Sequence, residues 1–213
     1  MLNNKRILVL APHTDDGELG CGGTISAVSN NGSTVFYIAF SSCENSVPAE
    51  YPRDILRKEV VEATGKLGVL KENVFIEEFE VRTFSTHRQL ILDRMIFYRN
   101  KIKPDVVFIP SLDDKHQDHE TIRNEAIRAF KNCTILGYEL PWNNFSFDSQ
   151  FFFNLNIEHI NRKLEALSAY QSQSNRTYFN QDFIKGLASV RGVQSGLQYA
   201  EAFQVIRFIY NNH

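Results

Sequence analysis

Histidine and aspartate are concentrated in two short stretches of this 213-residue sequence. The first is His13-Thr14-Asp15-Asp16, and the second, residues 113–119, holds three aspartates and two histidines. Imidazole and carboxylate groups bind Zn²⁺ and transfer protons near neutral pH. A catalytic zinc site has three such protein ligands and keeps one position open for water. The two stretches therefore predict a metal-dependent hydrolase.

The spacing within the first stretch suggests how the two stretches would contribute ligands to one metal site. His13 and Asp16 are close enough in the chain to bind one ion, and a third ligand from the second stretch would complete the site. The remaining histidines and acids would then transfer protons, because a bound metal lowers the pKa of water. An ordinary structural interpretation exists as well, since Asp118 is also suited to cap a helix that begins at His119.

The segments around these stretches predict an α/β fold, because short β-branched runs alternate with longer amphipathic segments. We predict strands at residues 7–10, 34–40, 74–76, 105–109 and 134–138. Helices are predicted between them at residues 19–31, 53–67, 87–100 and 119–130. This order favours one domain, residues 1–213, built on a Rossmann-like, mostly parallel sheet with helices on both faces.

The pattern changes after Pro141. Residues 158–170 and 179–191 are typical of helices, and residues 151–157 and 202–209 of strands. We interpret this part as a C-terminal cap segment that completes the pocket. Ligands of such sheets bind at the carboxyl ends of the strands, where both His/Asp stretches follow predicted strands.

The glycines after the first strand do not form a nucleotide-binding motif. Gly17, Gly20, Gly22 and Gly23 match neither GxGxxG nor a P-loop. A role in backbone packing, or in presenting N–H groups to the site, is the better interpretation.

Composition excludes several other classes. A net charge of −2 argues against general nucleic-acid binding. No apolar run approaches the about 18 residues of a membrane span, and the start of the chain does not resemble a secretory signal. The three cysteines form no CxxC motif, which favours a reducing compartment. We therefore expect a cytoplasmic protein without a membrane span or nucleic-acid partner.

Residues 11–16 and 18–25 resemble the first motif of the PIG-L/LmbE-like N-deacetylases, and His116-Gln117-Asp118-His119 resembles their second. Residues 57–59, 103–107 and 191–203 also resemble parts of the family, so the similarity covers nearly the whole chain. The resemblance implies a zinc-dependent amidase that removes an acetyl group from an N-acetylated amino sugar or its nucleotide or glycoside derivative.

The resemblance also implies a role for each site residue. Asp15 would be the general base for metal-bound water, and Asp118 would orient His116, which acts as the acid or stabilises the oxyanion. The ligand types suit Fe²⁺ as well as Zn²⁺. The metal ligands implied in this way are His13, Asp16 and His119.

Two positions depart from the family pattern without affecting these ligands. Thr14 stands where the family usually has proline, and Gly17 where it often has an acid. The tyrosine that some members place before the second motif is also missing. A second oxyanion donor would then be Tyr138, His87 or a backbone N–H.

Three arginines are predicted to bind substrate. The resemblance places Arg57 where family members hold a sugar hydroxyl or a substrate acid. Arg82 and Arg88 follow the third strand and can bind a phosphate or carboxylate through two hydrogen bonds. Alternatively, Arg88 forms only a surface ion pair on its helix. Trp142 would either stack on a sugar ring or pack in the core.

The expected partner is a small amino-sugar substrate, and the resemblance is compatible with a homo-oligomer, either a trimer or a hexamer. Three other functions stay open at this point. The protein would be a metal-dependent amidase acting on a non-sugar acyl-amide, a catalytically silent sugar-binding member, or a nucleotide-sugar-binding protein without a metal. Metal content separates the last of these from the hydrolases.

Overall fold

The computed structural model describes residues 2–210, which form seven β-strands and six α-helices. The strands are β1 (Arg6–Ala11), β2 (Thr34–Ala39), β3 (Val74–Ile76), β4 (Val106–Pro110), β5 (Thr134–Tyr138), β6 (Phe151–Leu155) and β7 (Tyr199–Arg207). The helices are α1 (Asp16–Asn30), α2 (Ile55–Lys66), α3 (Arg88–Ile102), α4 (Gln117–Ala129), α5 (Ile157–Leu167) and α6 (Gln181–Ser195). None of these helices combines the length and apolar character that a membrane crossing requires.

All seven strands form one sheet in the order β3-β2-β1-β4-β5-β7-β6. Strands β1 to β5 pair in parallel, whereas β7 pairs antiparallel with both β5 and β6. The predicted mostly parallel α/β sheet is therefore confirmed. The C-terminal segment, expected as a cap, also extends this sheet by two antiparallel strands.

Helices cover both faces of the sheet, so β1 is buried on both sides. Ile7 and Val9 pack into a core with helices α1, α2 and α5, while Leu8 and Leu10 pack into a second core with α3 and α4. Alternate residues of a strand point to opposite faces, so a strand between two helix layers must be apolar throughout. This explains the continuous apolar run of β1.

The strand order places the two His/Asp stretches side by side. Strands β1 and β4 are neighbours in the sheet, and both run in the same direction. Residues 12–15 follow β1 and residues 111–116 follow β4, so both loops leave the sheet at the same edge. The order also reverses between these strands, which is where such folds bind ligands.

Helix α1 is interrupted at Cys21, whose φ of −145° and ψ of 24° lie outside the helical range. In an unbroken helix the N–H of Gly23 would donate to the carbonyl of Leu19. Here that N–H donates to Glu201 at 3.0 Å, and the carbonyl accepts from Lys163 at 2.7 Å. The glycine-rich part of α1 therefore has a packing role, because it admits two side chains from the C-terminal segment.

Candidate metal centre and active site

The first His/Asp stretch lies where β1 ends and α1 begins. Asp16 is the first residue of α1, and its Oδ2 accepts the backbone N–H of His13 at 2.8 Å. The hydroxyls of Tyr37 and Tyr170 lie 2.9 and 2.7 Å from the carbonyl oxygen of Thr14. These two hydrogen bonds hold the backbone of Thr14 in place between His13 and Asp15.

The second stretch lies where the loop after β4 enters α4. His116 is the N-cap of α4, and its Nδ1 accepts the backbone N–H of Asp118 at 3.2 Å. His119 follows in the first turn and is buried. The start of this helix therefore directs two imidazole rings towards the first stretch.

The three ligands implied by the resemblance form a triangle of donor atoms. His13 Nδ1 lies 3.1 Å from Asp16 Oδ2, and His119 Nε2 lies 3.2 Å from each of these atoms. Ligands about 2.0–2.1 Å from a tetrahedral ion lie about 3.3 Å apart, so this triangle fits a divalent metal. The structure thus brings His13, Asp16 and His119 together as expected.

His116 borders the same triangle. His13, His116 and His119 each offer a nitrogen within 4.8 Å of the others, so this trio is also compatible with a metal ion. Burial and the charges of His119 and His13 lower the pKa of His116 to about 4. Its imidazole is therefore neutral at pH 7, and a neutral ring can either bind a metal or donate one hydrogen bond.

The outer nitrogen of each buried histidine contacts a carboxylate. His13 Nε2 lies 3.1 Å from Asp118 Oδ2, and His119 Nδ1 lies 2.7 Å from Asp114 Oδ2. In metal sites such a carboxylate fixes the ring orientation and tautomer, and makes the coordinating nitrogen more basic. Both rings thus present the opposite nitrogen to the triangle.

Asp118 contacts its predicted partner, His116, through its backbone and not through its carboxylate. Its carboxylate contacts His13 and accepts the backbone N–H of Arg82 at 2.6 Å, while only its backbone N–H reaches His116. Asp114 has no role predicted from the sequence, although it belongs to the acidic second stretch. Its contact with His119 depends on how the loop turns before α4, which residue types alone do not reveal.

The charges of the site favour a cation. Burial, followed by the charge of Asp16, raises the pKa of Asp15 to about 6. Burial also acts to raise the pKa of Asp16, but His119 and His13 outweigh it and hold that pKa well below its usual range. Burial lowers the pKa of His119, but Asp16 and Asp114 outweigh it and raise the pKa to about 10. The carboxylates thus retain a proton at His119, and a divalent cation can replace it.

These side chains line a cavity of about 270 Å³. Its wall includes Arg82, Trp142, Arg176 and Tyr178. The rings of Trp142 and Tyr178 stack at 4.2 Å with an angle of 12° between their planes, and Trp142 is 38% exposed. The C-terminal segment therefore does complete the pocket, and Trp142 belongs to the pocket wall rather than the core.

The predicted placement of Arg57 and Arg88 at this cavity is wrong. Arg57 forms ion pairs of 2.8 Å with both Glu44 and Glu78, and it lines a neighbouring groove. Arg88 forms a 2.6 Å ion pair with the buried Glu125, because α3 packs against α4. The carboxylates that pair with these arginines belong to other parts of the chain. The sequence around each arginine therefore does not show that a glutamate, and not a substrate, binds it.

Two candidates for a second oxyanion donor are also placed elsewhere. The hydroxyl of Tyr138 donates to the carbonyl of Leu10 at 3.0 Å inside the core. His87 lies with its Nδ1 3.0 Å from the carbonyl of Thr83 and does not line the cavity. A backbone N–H is the candidate that stays a prediction.

The chain matches the family model described as "PIG-L: GlcNAc-PI de-N-acetylase" over residues 8–130, which include both His/Asp stretches. The uncharacterised deacetylase YaiS of Escherichia coli (strain K12) is 26% identical over 176 residues, covering 79% of this chain and 93% of that protein.

Solved structures share the fold along almost the whole chain. The conserved protein TT1542 of Thermus thermophilus superimposes with a TM-score of 0.83 at 24% identity, covering 97% of each chain. The N,N'-diacetylchitobiose deacetylase of Pyrococcus horikoshii gives a TM-score of 0.76 at 22% identity, covering 94% of this chain and 83% of that one. At these identities the likeness establishes the architecture.

Proposed function

This chain belongs to the family described as PIG-L: GlcNAc-PI de-N-acetylase, and on that basis we propose that it is a metal-dependent N-deacetylase. The substrate is an N-acetylated amino sugar or a nucleotide or glycoside derivative of one. The names of the Escherichia coli relative and the Pyrococcus horikoshii structure, both deacetylases, support this assignment.

The triangle formed by His13, Asp16 and His119 is the observation that carries the proposal. Two histidines and one carboxylate are a common ligand set of hydrolytic zinc sites. A bound Zn²⁺ would polarise the acetamide carbonyl and lower the pKa of water to near neutrality. We propose Zn²⁺ as the native ion, with Fe²⁺ as the alternative that the same ligands accept.

Asp15 is suited to take the proton from the attacking water. It occupies the N-cap position of α1, but its side chain makes no capping hydrogen bond. Its carboxylate is thus not engaged in holding the helix, and it borders the cavity next to Asp16. A general base in this position can later return the proton to the leaving amine.

His116 is suited to stabilise the oxyanion rather than to act as the acid. The backbone N–H of Asp118 donates to its Nδ1, so a neutral His116 carries its proton on Nε2. That N–H can donate to the developing oxyanion, and such donors contribute about 10²–10³-fold to the rate. The role therefore follows from a backbone contact at the start of α4.

The stacked pair of Trp142 and Tyr178 provides a flat apolar surface in the cavity wall. The apolar face of a sugar ring packs well against an aromatic surface of this kind. We infer that the pair orients the amino sugar while its acetamide faces Asp15 and His116.

Amine release by the zinc-loaded protein tests the proposed reaction. The assay uses N-acetyl sugars, sugar nucleotides and small acetyl-amides, with Asp15→Ala as the blank. Release from one sugar class, absent in the blank, supports the proposal. Failure of zinc-containing protein to release amine from any sugar overturns it.

The same panel separates the remaining functions. Release from acetyl-amides alone would indicate an amidase with a non-sugar substrate. A protein that binds sugars and zinc but releases no amine would be a silent binding member. A protein that binds sugar nucleotides without binding zinc would lack the metal centre altogether.

A further inference from the structure

Two arginines of the cavity wall have no carboxylate partner within residues 2–210. Arg82 and Arg176 are both exposed and line the same cavity. By contrast, Arg57, Arg88 and Arg191 form ion pairs with glutamates. Arg82 and Arg176 come from different parts of the chain, one after β3 and the other between α5 and α6. The fold therefore brings these two arginines, which are distant in sequence, to the wall of one cavity.

The backbone of Arg82 is held directly against the metal centre. Its N–H donates to Asp118 Oδ2 at 2.6 Å, and its carbonyl accepts from Gln117 Nε2 at 2.9 Å. Arg82 also has a φ of 68°, in the left-handed region that non-glycine residues seldom adopt. Because Asp118 also contacts His13, the position of Arg82 is coupled to that of the metal ligands.

Arg176 is held in place by contacts that leave part of its guanidinium free. Its Nε donates to Gln173 Oε1 at 2.7 Å, and its Cζ lies 5.9 Å from the ring centroid of Tyr178. The segment itself is anchored where buried Glu59 accepts the N–H and hydroxyl of Ser172 at 2.9 and 2.6 Å. The side chain of Tyr178 is the other hydrogen-bonding neighbour of Arg176, and no carboxylate of the described chain forms an ion pair with Arg176.

We propose that the cavity takes an N-acetyl amino sugar that bears an anionic group, with Arg82 and Arg176 binding the anion. This inference rests on the proposed deacetylase function. Guanidinium groups match the geometry of phosphate and carboxylate oxygens and form charge-assisted hydrogen bonds with them. The Trp142–Tyr178 surface lines the same cavity of about 270 Å³, so a sugar ring packed on it and its anionic group would share one cavity.

Calorimetry separates the anion site from catalysis. The zinc-loaded Asp15→Ala protein is titrated with N-acetylglucosamine, N-acetylglucosamine 1-phosphate and N-acetylmuramic acid, which are neutral, phosphorylated and carboxylated. Charge-assisted hydrogen bonds contribute about 1.5–3 kcal/mol, so we expect one anionic sugar to bind about 10- to 100-fold more tightly than the neutral sugar. The preferred anion identifies phosphate or carboxylate as the substrate group.

Arginine variants show which residues provide the preference. Arg82→Gln and Arg176→Gln should each reduce the preference for the anionic sugar several-fold. Arg162→Gln, at an exposed arginine of α5 that does not line the cavity, should leave it unchanged. Equal affinity for neutral and anionic sugars, or a preference that survives both variants, would overturn the inference. Amine release from the neutral sugar in that case would leave the deacetylase proposal intact.

Discussion

Lys163 of α5 and Glu201 of β7 form a buried ion pair with 2.7 Å between Nζ and Oε1, inside the break of helix α1. Glu201 accepts the backbone N–H groups of Gly23 and Thr24 at 3.0 and 2.7 Å. Lys163 donates to the carbonyl of Leu19 at 2.7 Å. The C-terminal segment thus supplies hydrogen bonds that α1 cannot make for itself, and it holds the helix whose first turn contributes Asp16 to the candidate metal centre.

Removing one partner of this pair should destabilise the protein strongly. Lys163→Met leaves the carboxylate of Glu201 buried without its cation, so we expect the free energy of unfolding to fall by about 3–5 kcal/mol. Urea denaturation measures the change. Lys58→Met breaks an exposed ion pair with Asp54, which solvent screens, so it should change the free energy of unfolding far less and serves as the control. The double variant Lys163→Met/Glu201→Gln should recover part of the loss; equal losses in Lys163→Met and the control would contradict the assigned role.

Two glycines of α6 should respond to alanine in opposite directions. A Cβ on Gly192 would lie 2.6 Å from the carbonyl carbon of Gln198 and 2.8 Å from the nitrogen of Tyr199, and neither backbone atom can move aside easily. Gly192→Ala should therefore lower the free energy of unfolding by about 1–3 kcal/mol. Gly186 has no atom within 4 Å of its Cβ position, so Gly186→Ala should raise it by about 0.5–1 kcal/mol. Thermal unfolding of the pair distinguishes these signs, and a shared direction would refute the packing argument.

Asp114 should determine metal affinity although it is not one of the three proposed ligands. Asp114→Asn weakens the hydrogen bond at Nδ1 of His119, the nitrogen that faces away from the proposed metal position. Loss of such a hydrogen bond to a metal ligand typically lowers metal affinity about 10–100-fold. Competition with a zinc chelator gives the affinity. Asp113→Asn makes the same chemical change at the adjacent residue, whose carboxylate contacts Gln204 instead, and should leave the affinity unchanged. Identical zinc affinities for the two variants would rule out this positioning role.

Asp15→Ala and His119→Ala should separate catalysis from metal binding. Asp15→Ala removes the proposed base and should lower kcat about 10²–10⁴-fold while the protein keeps stoichiometric zinc. His119→Ala removes a proposed ligand and should lose the metal. Elemental analysis of the purified variants, beside amine release, measures both effects. Full activity of Asp15→Ala, or retained zinc in His119→Ala, would remove the residue concerned from its role.

Much of the architecture around the site was readable from the sequence. The bounds of β3 and β5 agree with the predicted residues 74–76 and 134–138. The apolar run of β1 indicated a strand buried on both faces, and the alternation of strands and helices indicated a parallel sheet. In such a sheet the loops after β1 and β4 leave at one edge. The meeting of His13, Asp16 and His119 follows from this rule together with the family motif.

The tertiary structure alone decided which charged groups pair with each other. Whether the carboxylate of Asp118 contacts His13 or His116 depends on how the two loops turn. Glu44 and Glu125 draw Arg57 and Arg88 away from the cavity. Strand β7 and the segment before α6, which provide an ion-pair partner and the cavity wall, contact residues far away in sequence. Local patterns report the period of a strand or helix and the type of each side chain, but ion pairs between distant segments depend on the packed arrangement of the whole chain.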